Sequence, residues 1–242
     1  MKAGGSLGSG FEARQARRFG IEQPAAKGQP PRPRLREPCR LQLVSQRSWL
    51  ILDLALKAAL VGLLLFAVLN PDLAQFQGKA IKGRALAYPL AALIFPAGWW
   101  LIARKRPYPF APDILIVLPF FIDTAGNSLN LYDTIDWWDD LNHFVNWALL
   151  SAGFGLALRS LKLPSWNIAA LCAGFGAATA ILWELLEYVT FIRNSPEVTT
   201  AYHDTLGDLA LGLSGSIIAG MLVAWGADDH WTTARRRGRI AG

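Results

Sequence analysis

The residues best suited to chemistry lie in the second half of the chain, where acids and one histidine recur at helical spacing. Asp139 and His143 are four residues apart, and Glu184 and Glu187 are three apart. Residues three or four apart share one face of a helix. Carboxylates with an imidazole form a ligand set suited to a divalent metal such as zinc, manganese or iron. Each pair therefore offers two ligand-type side chains on one helix face.

Two further polar groups follow the same spacing. Asp204 and Asp208 stand at the head of the last apolar segment, and Asp123, Asn127 and Asn130 form a polar stripe along an earlier one. Helical bundles build metal sites from such pairs on facing helices. We predict the metal ligands to be Asp139, His143, Glu184 and Asp208, and the general base, or a partner that orients a ligand, to be Glu187 or Asp204.

Interpretations without chemistry stay open for the same residues. Asp204 can cap a helix that starts at Thr205. Glu184 and Glu187 can belong to a structural hydrogen-bond network between helices, and His143 can be a histidine at the membrane interface. An acidic loop is most often a solvated face, and this applies best to Asp133, Asp136 and Asp140.

The elements that must position these residues are membrane-spanning helices. Of the 242 residues, 52% are hydrophobic, and a helix needs about 20 mostly apolar residues to cross a bilayer. The sequence predicts an all-α fold, a polytopic membrane bundle of six transmembrane helices. The apolar windows are Trp49–Leu69, Leu86–Ala103, Ile114–Leu131, His143–Leu158, Ile168–Phe191 and Leu206–Trp225.

The distribution of basic residues predicts that the N- and C-termini are both cytoplasmic. With that orientation, 19 of the 24 Lys and Arg residues fall in cytoplasmic segments and four in outer loops. This matches the excess of positive charge on the cytoplasmic side of membrane proteins. It indicates a multi-pass protein of the bacterial inner (plasma) membrane. It also places the polar stripes together at the outer side, with no Lys or Arg within them.

The two ends of the chain differ from its centre. Residues 1–48 cannot bury a core, so we predict a disordered basic cytoplasmic tail there, then a six-helix transmembrane domain over 49–226 and a basic tail over 227–242. The net charge of +6 follows from the positive-inside bias, and we expect no nucleic-acid partner. The expected partners are membrane lipids, with anionic headgroups at the tails. A homo-oligomer stays open.

Two features concern the apolar windows themselves. Asp53 and Lys57 lie four apart in the first window, acid first, which predicts an intrahelical ion pair. The last three windows are rich in Gly, Ala and Ser. Small side chains let helices approach closely in lipid, so we expect the last three spans to form a tight bundle.

The order of these motifs resembles the YjdF-type bacterial membrane proteins, and more distantly it is similar to the VanZ-like family. The resemblance covers about residues 120–225 and rests on Asp139-x-x-x-His143-Phe144, Trp183-Glu184-x-x-Glu187 and Asp204-Thr205-x-x-Asp208, followed by a Gly-rich helix. VanZ-like proteins typically end the acidic helix in Glu with a following Gln, where this chain has Glu184 and Glu187, and this favours the YjdF-type relation. The resemblance implies the fold and the site rather than a reaction.

Three functions stay open. The slightly favoured interpretation is a non-enzymatic envelope or stress role, in which the cluster binds a metal or holds helices together. The first alternative is a metal-dependent membrane hydrolase acting on a lipid or envelope substrate, with a Glu as base. The second is a proton- or cation-coupled transporter whose path includes Asp123, Glu184 and Glu187.

Overall fold

The computed structural model describes the backbone of residues 39–190 and 192–240, and the side chains of residues 46–190, 192–196 and 198–226. All α-helices and 3-10 turns named below lie within those ranges. The first 38 residues of the predicted disordered tail lie outside them. Helix α1 begins at Cys39, before the first predicted window, because a helix can continue past the apolar stretch that defines a window.

All regular secondary structure in the described residues is helical. Six of its helices are long and apolar enough to cross a membrane, so the predicted six-span fold is confirmed. The α-helices are α1 Cys39–Leu69, α2 Ile81–Ala103, α3 Phe110–Ser128, the short α4 Leu131–Thr134, α5 Trp138–Leu158, α6 Ser165–Thr190 and α7 Ala201–Ile240. The 3-10 turns are Ala74–Phe76, Arg159–Leu161, Ile192–Asn194 and Pro196–Thr199.

The spanning helices start earlier than their predicted windows, and two of these starts bear on charged residues. Helix α2 begins at Ile81 and α5 at Trp138, each five residues before the window. A hydropathy window starts at the first apolar residues, whereas the first turn of a helix accommodates polar side chains beside its unpaired N–H groups. The earlier starts place Arg84 and Asp139 inside helices, where they can face the bundle.

Helices α5, α6 and α7 form the tight bundle that the small residues predict. Helix α7 packs along both α5 and α6, and α3 packs along α5. At Gly220 the backbones come so close that a Cβ would lie 3.0 Å from the carbonyl oxygen of Ala169 and 2.8 Å from Cys172 Cβ. Only a residue without a side chain fits this approach, which is how lipid-embedded helices gain contact.

Helices α1 and α2 join this bundle through larger side chains. Together with α3 they bury an apolar layer in which Val117 has no exposed surface and Leu60 is 1% exposed. On α3, buried Asp113 lies one turn before Val117, and buried Asp123 lies six residues after it. The layer therefore separates two polar regions. Its members are Leu60, Leu64, Tyr88, Ala92 and Val117.

Candidate metal centre

The predicted polar residues gather at one end of the bundle. The N-terminal ends of α2, α5 and α7 meet the C-terminal ends of α3 and α6 there. We call this group the His143 centre. Its members are Arg84, Asp123, Asp139, His143, Glu184, Glu187 and Asp208.

His143 lies in the second turn of α5 and is only 7% exposed. Its Nε2 atom is 3.7 Å from Asp139 Oδ1 and 3.6 Å from Asp208 Oδ1. On the other side of the ring, Nδ1 is 3.8 Å from Glu184 Oε1. These separations exceed hydrogen-bond length, and Nδ1 is buried without a hydrogen-bond partner among the described residues. The imidazole thus faces three carboxylates and bonds to none of them.

The ligand-type atoms around His143 fall into two groups. Asp139, His143 and Asp208 form one, and His143, Glu184 and Glu187 form the other, with the atoms of each group within 4.8 Å of one another. The distances place the aspartates beside Nε2 and Glu184 beside Nδ1. A neutral imidazole has one nitrogen free to bind a metal. One metal ion can therefore bind only one of the two groups. The four predicted ligands, Asp139, His143, Glu184 and Asp208, do not all lie around one metal position.

The two glutamates of α6 have different partners. Glu184 is 7% exposed and accepts a hydrogen bond of 3.1 Å from the Thr205 hydroxyl. Glu187, one turn later and partly buried, has Oε1 3.8 Å from Nη2 of Arg84. Glu184 is thus tied to α7, whereas Glu187 belongs to the side of the centre that contains the guanidinium.

The start of α7 differs from the capping interpretation. The helix begins at Ala201, so Asp204 lies within its first turn and does not cap it at Thr205; that interpretation is wrong. A negative charge in the first turn still interacts favourably with the helix dipole. Asp204 is exposed, whereas Asp208 is buried at 4% exposure, which distinguishes the two acids despite their shared face.

The loop acids match the solvated interpretation. Asp136 and Asp140 are exposed. Asp133 is exposed and accepts a hydrogen bond of 2.9 Å from the Lys79 ammonium. Of this acidic segment, Asp139 is the acid that lies beside His143.

Asp123 is held by four donors. Its Oδ2 atom accepts hydrogen bonds from the Arg84 guanidinium and from the Tyr88 hydroxyl, the latter at 2.7 Å. Its Oδ1 atom accepts from the Tyr132 hydroxyl at 2.9 Å and from Asn127 Nδ2 at 3.4 Å. Burial and the Asp123 carboxylate raise the pKa of Tyr132, so this phenol remains a donor. Both oxygens of the Asp123 carboxylate are therefore already hydrogen-bonded to other side chains of the protein.

The predicted stripe on α3 is shorter than expected. Asp123 and Asn127 are both buried and in contact. Helix α3 ends at Ser128, and Asn130 follows in a left-handed conformation with φ of 59°. Asn130 therefore leaves the helix face that the spacing assigned to it.

Arg84 is the residue that sequence reasoning missed. The positive-inside count places Arg84 in an outer loop, and the acidic stripes themselves contain no Lys or Arg. The structure brings a cation to them from another helix, because Arg84 lies in the first turn of α2 and contacts both Asp123 and Glu187. Arg84 and Tyr88 are four residues apart and both donate to Asp123. This helical spacing is the sequence feature that could have indicated a role for Arg84.

A cavity of about 70 Å³ opens beside His143. That is room for roughly five water molecules, or for an ion with a few waters. Its wall combines the guanidinium and three acids of the centre, Asp123, Asp139 and Glu187, with aromatic rings. The wall includes Arg84, Phe120, Tyr132, Asp139, His143, Trp147, Trp183 and Glu187.

The comparisons with known proteins agree with the helical membrane architecture. No match was found among curated proteins or among solved structures. A family model described as "predicted membrane protein" matches residues 52–229, so the likeness extends over all six spans and beyond the second half of the chain. This is consistent with the YjdF-type resemblance, whereas the VanZ-like similarity stays a prediction from the motifs. The chain therefore belongs to the DUF2238 family of predicted membrane proteins.

Proposed function

We propose that this membrane protein binds a divalent metal ion through His143 Nε2, Asp139 and Asp208. The observation that carries the proposal is the pair of distances, 3.7 Å and 3.6 Å, from this nitrogen to the two carboxylate oxygens. Two ligands of a tetrahedral zinc ion, each bonded at about 2.1 Å, are roughly 3.4 Å apart. The three side chains come from α5 and α7 and need only small rotations to meet one ion.

The charge of the His143 centre supports a bound cation. It contains five carboxylates, those of Asp123, Asp139, Glu184, Glu187 and Asp208, with one guanidinium, that of Arg84. Carboxylates crowded without enough cations repel one another and favour the uptake of protons or a metal. Asp123 is already bonded to Arg84 and two tyrosines, which leaves the surplus around His143.

Glu184 has an orienting role in this proposal. A histidine bound to a metal through one nitrogen usually donates the N–H of the other nitrogen to a carboxylate. Glu184 Oε1 lies 3.8 Å from Nδ1, and the Thr205 hydroxyl bonds its second oxygen. This replaces the sequence-based assignment of Glu184 as a direct ligand. Glu187 lies nearer to Arg84 and is the weaker ligand candidate.

The ligand types limit the metals that suit this site. An imidazole with two carboxylates suits zinc, manganese or iron. The partly exposed Asp139, with 48% of its side chain accessible, gives the ion an entry route from the end of the bundle. The cavity beside His143 leaves space for a water or substrate as a further ligand.

A thermal titration tests the proposal. Detergent-purified protein is treated with chelator, and its Tm is measured with added Zn²⁺, Mn²⁺ or Fe²⁺. A metal at 100 times its Kd stabilises the folded state by about 2.7 kcal/mol. We expect the Tm of the wild type to rise with at least one metal, and Asp208→Asn and His143→Ala to lose that rise.

Two further variants serve as controls. Asp140→Asn changes an exposed acid next to Asp139 and keeps the wild-type rise. Glu184→Gln keeps the rise but needs roughly 10–100-fold more metal. A wild type that responds to none of the three metals, or an Asp208→Asn variant that responds like wild type, contradicts the assigned ligands.

A metal-dependent membrane hydrolase is the second candidate, and the cavity favours it. A metal at His143 would polarise a phosphoryl or acyl oxygen, and Arg84 lies in the same wall to bind an anionic group. Glu187, or Asp204 from the rim, takes a proton from water as the water oxygen bonds to phosphorus or carbon. The ester bond breaks, and that proton passes to the leaving oxygen, giving an alcohol and an acid.

Substrate turnover separates the hydrolase from the non-enzymatic envelope or stress role. Purified protein is assayed with phospholipid micelles and a chromogenic ester. For a hydrolase with Glu187 as the base, Glu187→Gln loses turnover and keeps the metal-dependent rise in Tm. A wild type that binds metal and hydrolyses neither substrate class supports the non-enzymatic role. The transporter has less support, because the apolar layer interrupts the polar groups along α3.

We also propose the orientation and domain limits that the basic residues predict. These are cytoplasmic tails over 1–48 and 227–242, a transmembrane domain over 49–226 in the inner membrane, and a His143 centre that faces outward. In intact cells, a membrane-impermeant thiol reagent should label a cysteine at position 136. It should label one at position 104 only after permeabilisation. The reverse pattern overturns the orientation.

A further inference from the structure

A second polar group lies on the other side of the apolar layer, at the start of α3. We call it the Lys57 centre; it contains Asp53, Lys57, Tyr108 and Asp113. Asp113 is fully buried and Asp53 is 3% exposed. Burial of this degree is rare for carboxylates unless charge or hydrogen bonds compensate them.

One ammonium serves two carboxylates in this centre. Lys57 Nζ donates to Asp53 Oδ2 at 2.8 Å and to Asp113 Oδ2 at 2.5 Å. The Tyr108 hydroxyl also donates to Asp113 Oδ2, at 2.5 Å. The intrahelical pair expected from the spacing of Asp53 and Lys57 is present, and α3 adds an acid that this spacing did not reveal.

The formal charges of the Lys57 centre do not balance. Two carboxylates and one ammonium leave one negative charge in excess. Tyr108 adds no further negative charge, because burial and its hydrogen bond to Asp113 raise the pKa of this phenol and keep it neutral. Helix α2 contributes the rings of Phe95 and Trp99 beside Tyr108, at 6.1 Å and 6.2 Å between centroids.

Other ionisable groups have different contacts. Arg104, from the segment that leads to α3, lies over the Trp100 ring at 5.5 Å. The acids and arginine of the His143 centre lie beyond the apolar layer of Leu60, Leu64, Ala92 and Val117. Among the residues whose side chains are described, the charges bonded to one another in the Lys57 centre are those of Asp53, Lys57 and Asp113.

Two oxygen atoms of the centre remain unbonded. Asp53 Oδ1 and Asp113 Oδ1 are both buried and have no hydrogen-bond partner among the described residues. A buried charge without compensation is strongly unfavourable, and a buried carboxylate relieves it by taking up a proton. The free oxygens are where such a proton can bind while Lys57 stays bonded to both Oδ2 atoms.

We propose that the Lys57 centre binds one exchangeable proton, shared between Asp53 and Asp113. The ligand is a proton rather than a metal ion, since the Lys57 ammonium already occupies the position between the two carboxylates. With the proton bound, one carboxylate balances one ammonium. The site is separate from the His143 centre and takes a different ligand.

Infrared spectroscopy of the full-length protein in detergent at neutral pH tests this proposal. The carbonyl stretch of a protonated carboxylic acid is distinct from the bands of a carboxylate and shifts in D₂O. In wild-type-minus-variant difference spectra, we expect one such band to be lost in Asp53→Asn and also in Asp113→Asn. Removal of either acid leaves one carboxylate for one ammonium, so no proton is retained. Bands from the His143 centre cancel in the difference.

The control and the contrary outcomes are defined by the same spectra. Asp136→Asn, which changes an exposed acid, should leave the band unchanged. A band that persists in both variants, or that is lost in only one of them, overturns the shared proton. If Asp113→Asn does not fold, a band that persists in Asp53→Asn overturns the proposal.

Thermal stability gives an independent test of the charge balance. Each single variant should keep the Tm of the wild type, because an amide replaces a neutral acid. The double variant Asp53→Asn/Asp113→Asn should have a clearly lower Tm, because the partly buried Lys57 is left without a counter-charge. Single variants that each lower the Tm as far as the double variant contradict the proposal.

Discussion

The His143 centre and the Lys57 centre use similar side chains but differ in how these side chains meet. In the Lys57 centre the charged atoms are 2.5 Å and 2.8 Å apart and hydrogen-bonded. Around His143 they are 3.6–3.8 Å apart, with a cavity beside them. The short contacts of the Lys57 centre join its ammonium and carboxylates directly. The longer distances around His143 leave space of the size that a metal ion needs.

The packing around the two centres explains this difference. Asp113 and Lys57 lie on helices that meet through long side chains, so the ammonium can reach between two helices. His143 and Asp208 lie on α5 and α7, whose backbones are brought close by glycines such as Gly215 against the Phe144 carbonyl. Close backbones fix the positions of short acidic side chains and leave a defined gap between them.

The largest change in the free energy of unfolding is expected from a variant that disrupts the Lys57 centre. Lys57→Met leaves the two buried acids of this centre without a cation and should lower the free energy of unfolding by about 3–5 kcal/mol. Unfolding in mixed micelles with increasing SDS measures it. The control is Lys82→Met, an exposed lysine at the start of α2, which should change stability by less than about 0.5 kcal/mol. Equal effects of the two variants would contradict a partly buried Lys57 that is bonded to both acids.

Two variants within the His143 centre, Asp123→Asn and Asp208→Asn, should have smaller effects on the free energy of unfolding. Asp123→Asn removes the ionised partner of Arg84 and should cost about 3 kcal/mol. Asp208→Asn, studied without metal, should change the free energy of unfolding by less than about 1 kcal/mol, because this carboxylate ends 3.6 Å from His143. The same SDS titration compares them. A reversed order would mean that Asp208 is the structural acid and Asp123 is not.

The sequence was sufficient for the six spans and for much of the site. Long apolar windows report the spans directly, and helical spacing placed Asp139 with His143 and Glu184 with Glu187. The contact between these pairs followed from the alternation of helix direction across a membrane. All of these inferences use local periodicity and chain direction, which a single sequence contains.

The contacts that sequence reasoning missed depend on how helices rotate and pack. Arg84 was excluded because a hydropathy window omits a charged first turn. Asp113 and Lys57 are 56 residues apart, and no local pattern reports their meeting. The Thr205 bond to Glu184 and the division of ligands between the two nitrogens of His143 likewise require the three-dimensional positions of α5, α6 and α7.

The metal content of the purified protein tests the central claim most directly. The wild type, His143→Ala, Asp208→Asn and the control Asp140→Asn are purified without chelator, and elemental analysis measures zinc, manganese and iron per chain. The proposal predicts about one metal ion per chain in the wild type and in Asp140→Asn, and loss of that ion in His143→Ala and Asp208→Asn. A wild type without metal, or a His143→Ala variant that retains it, would contradict the assignment of the His143 centre.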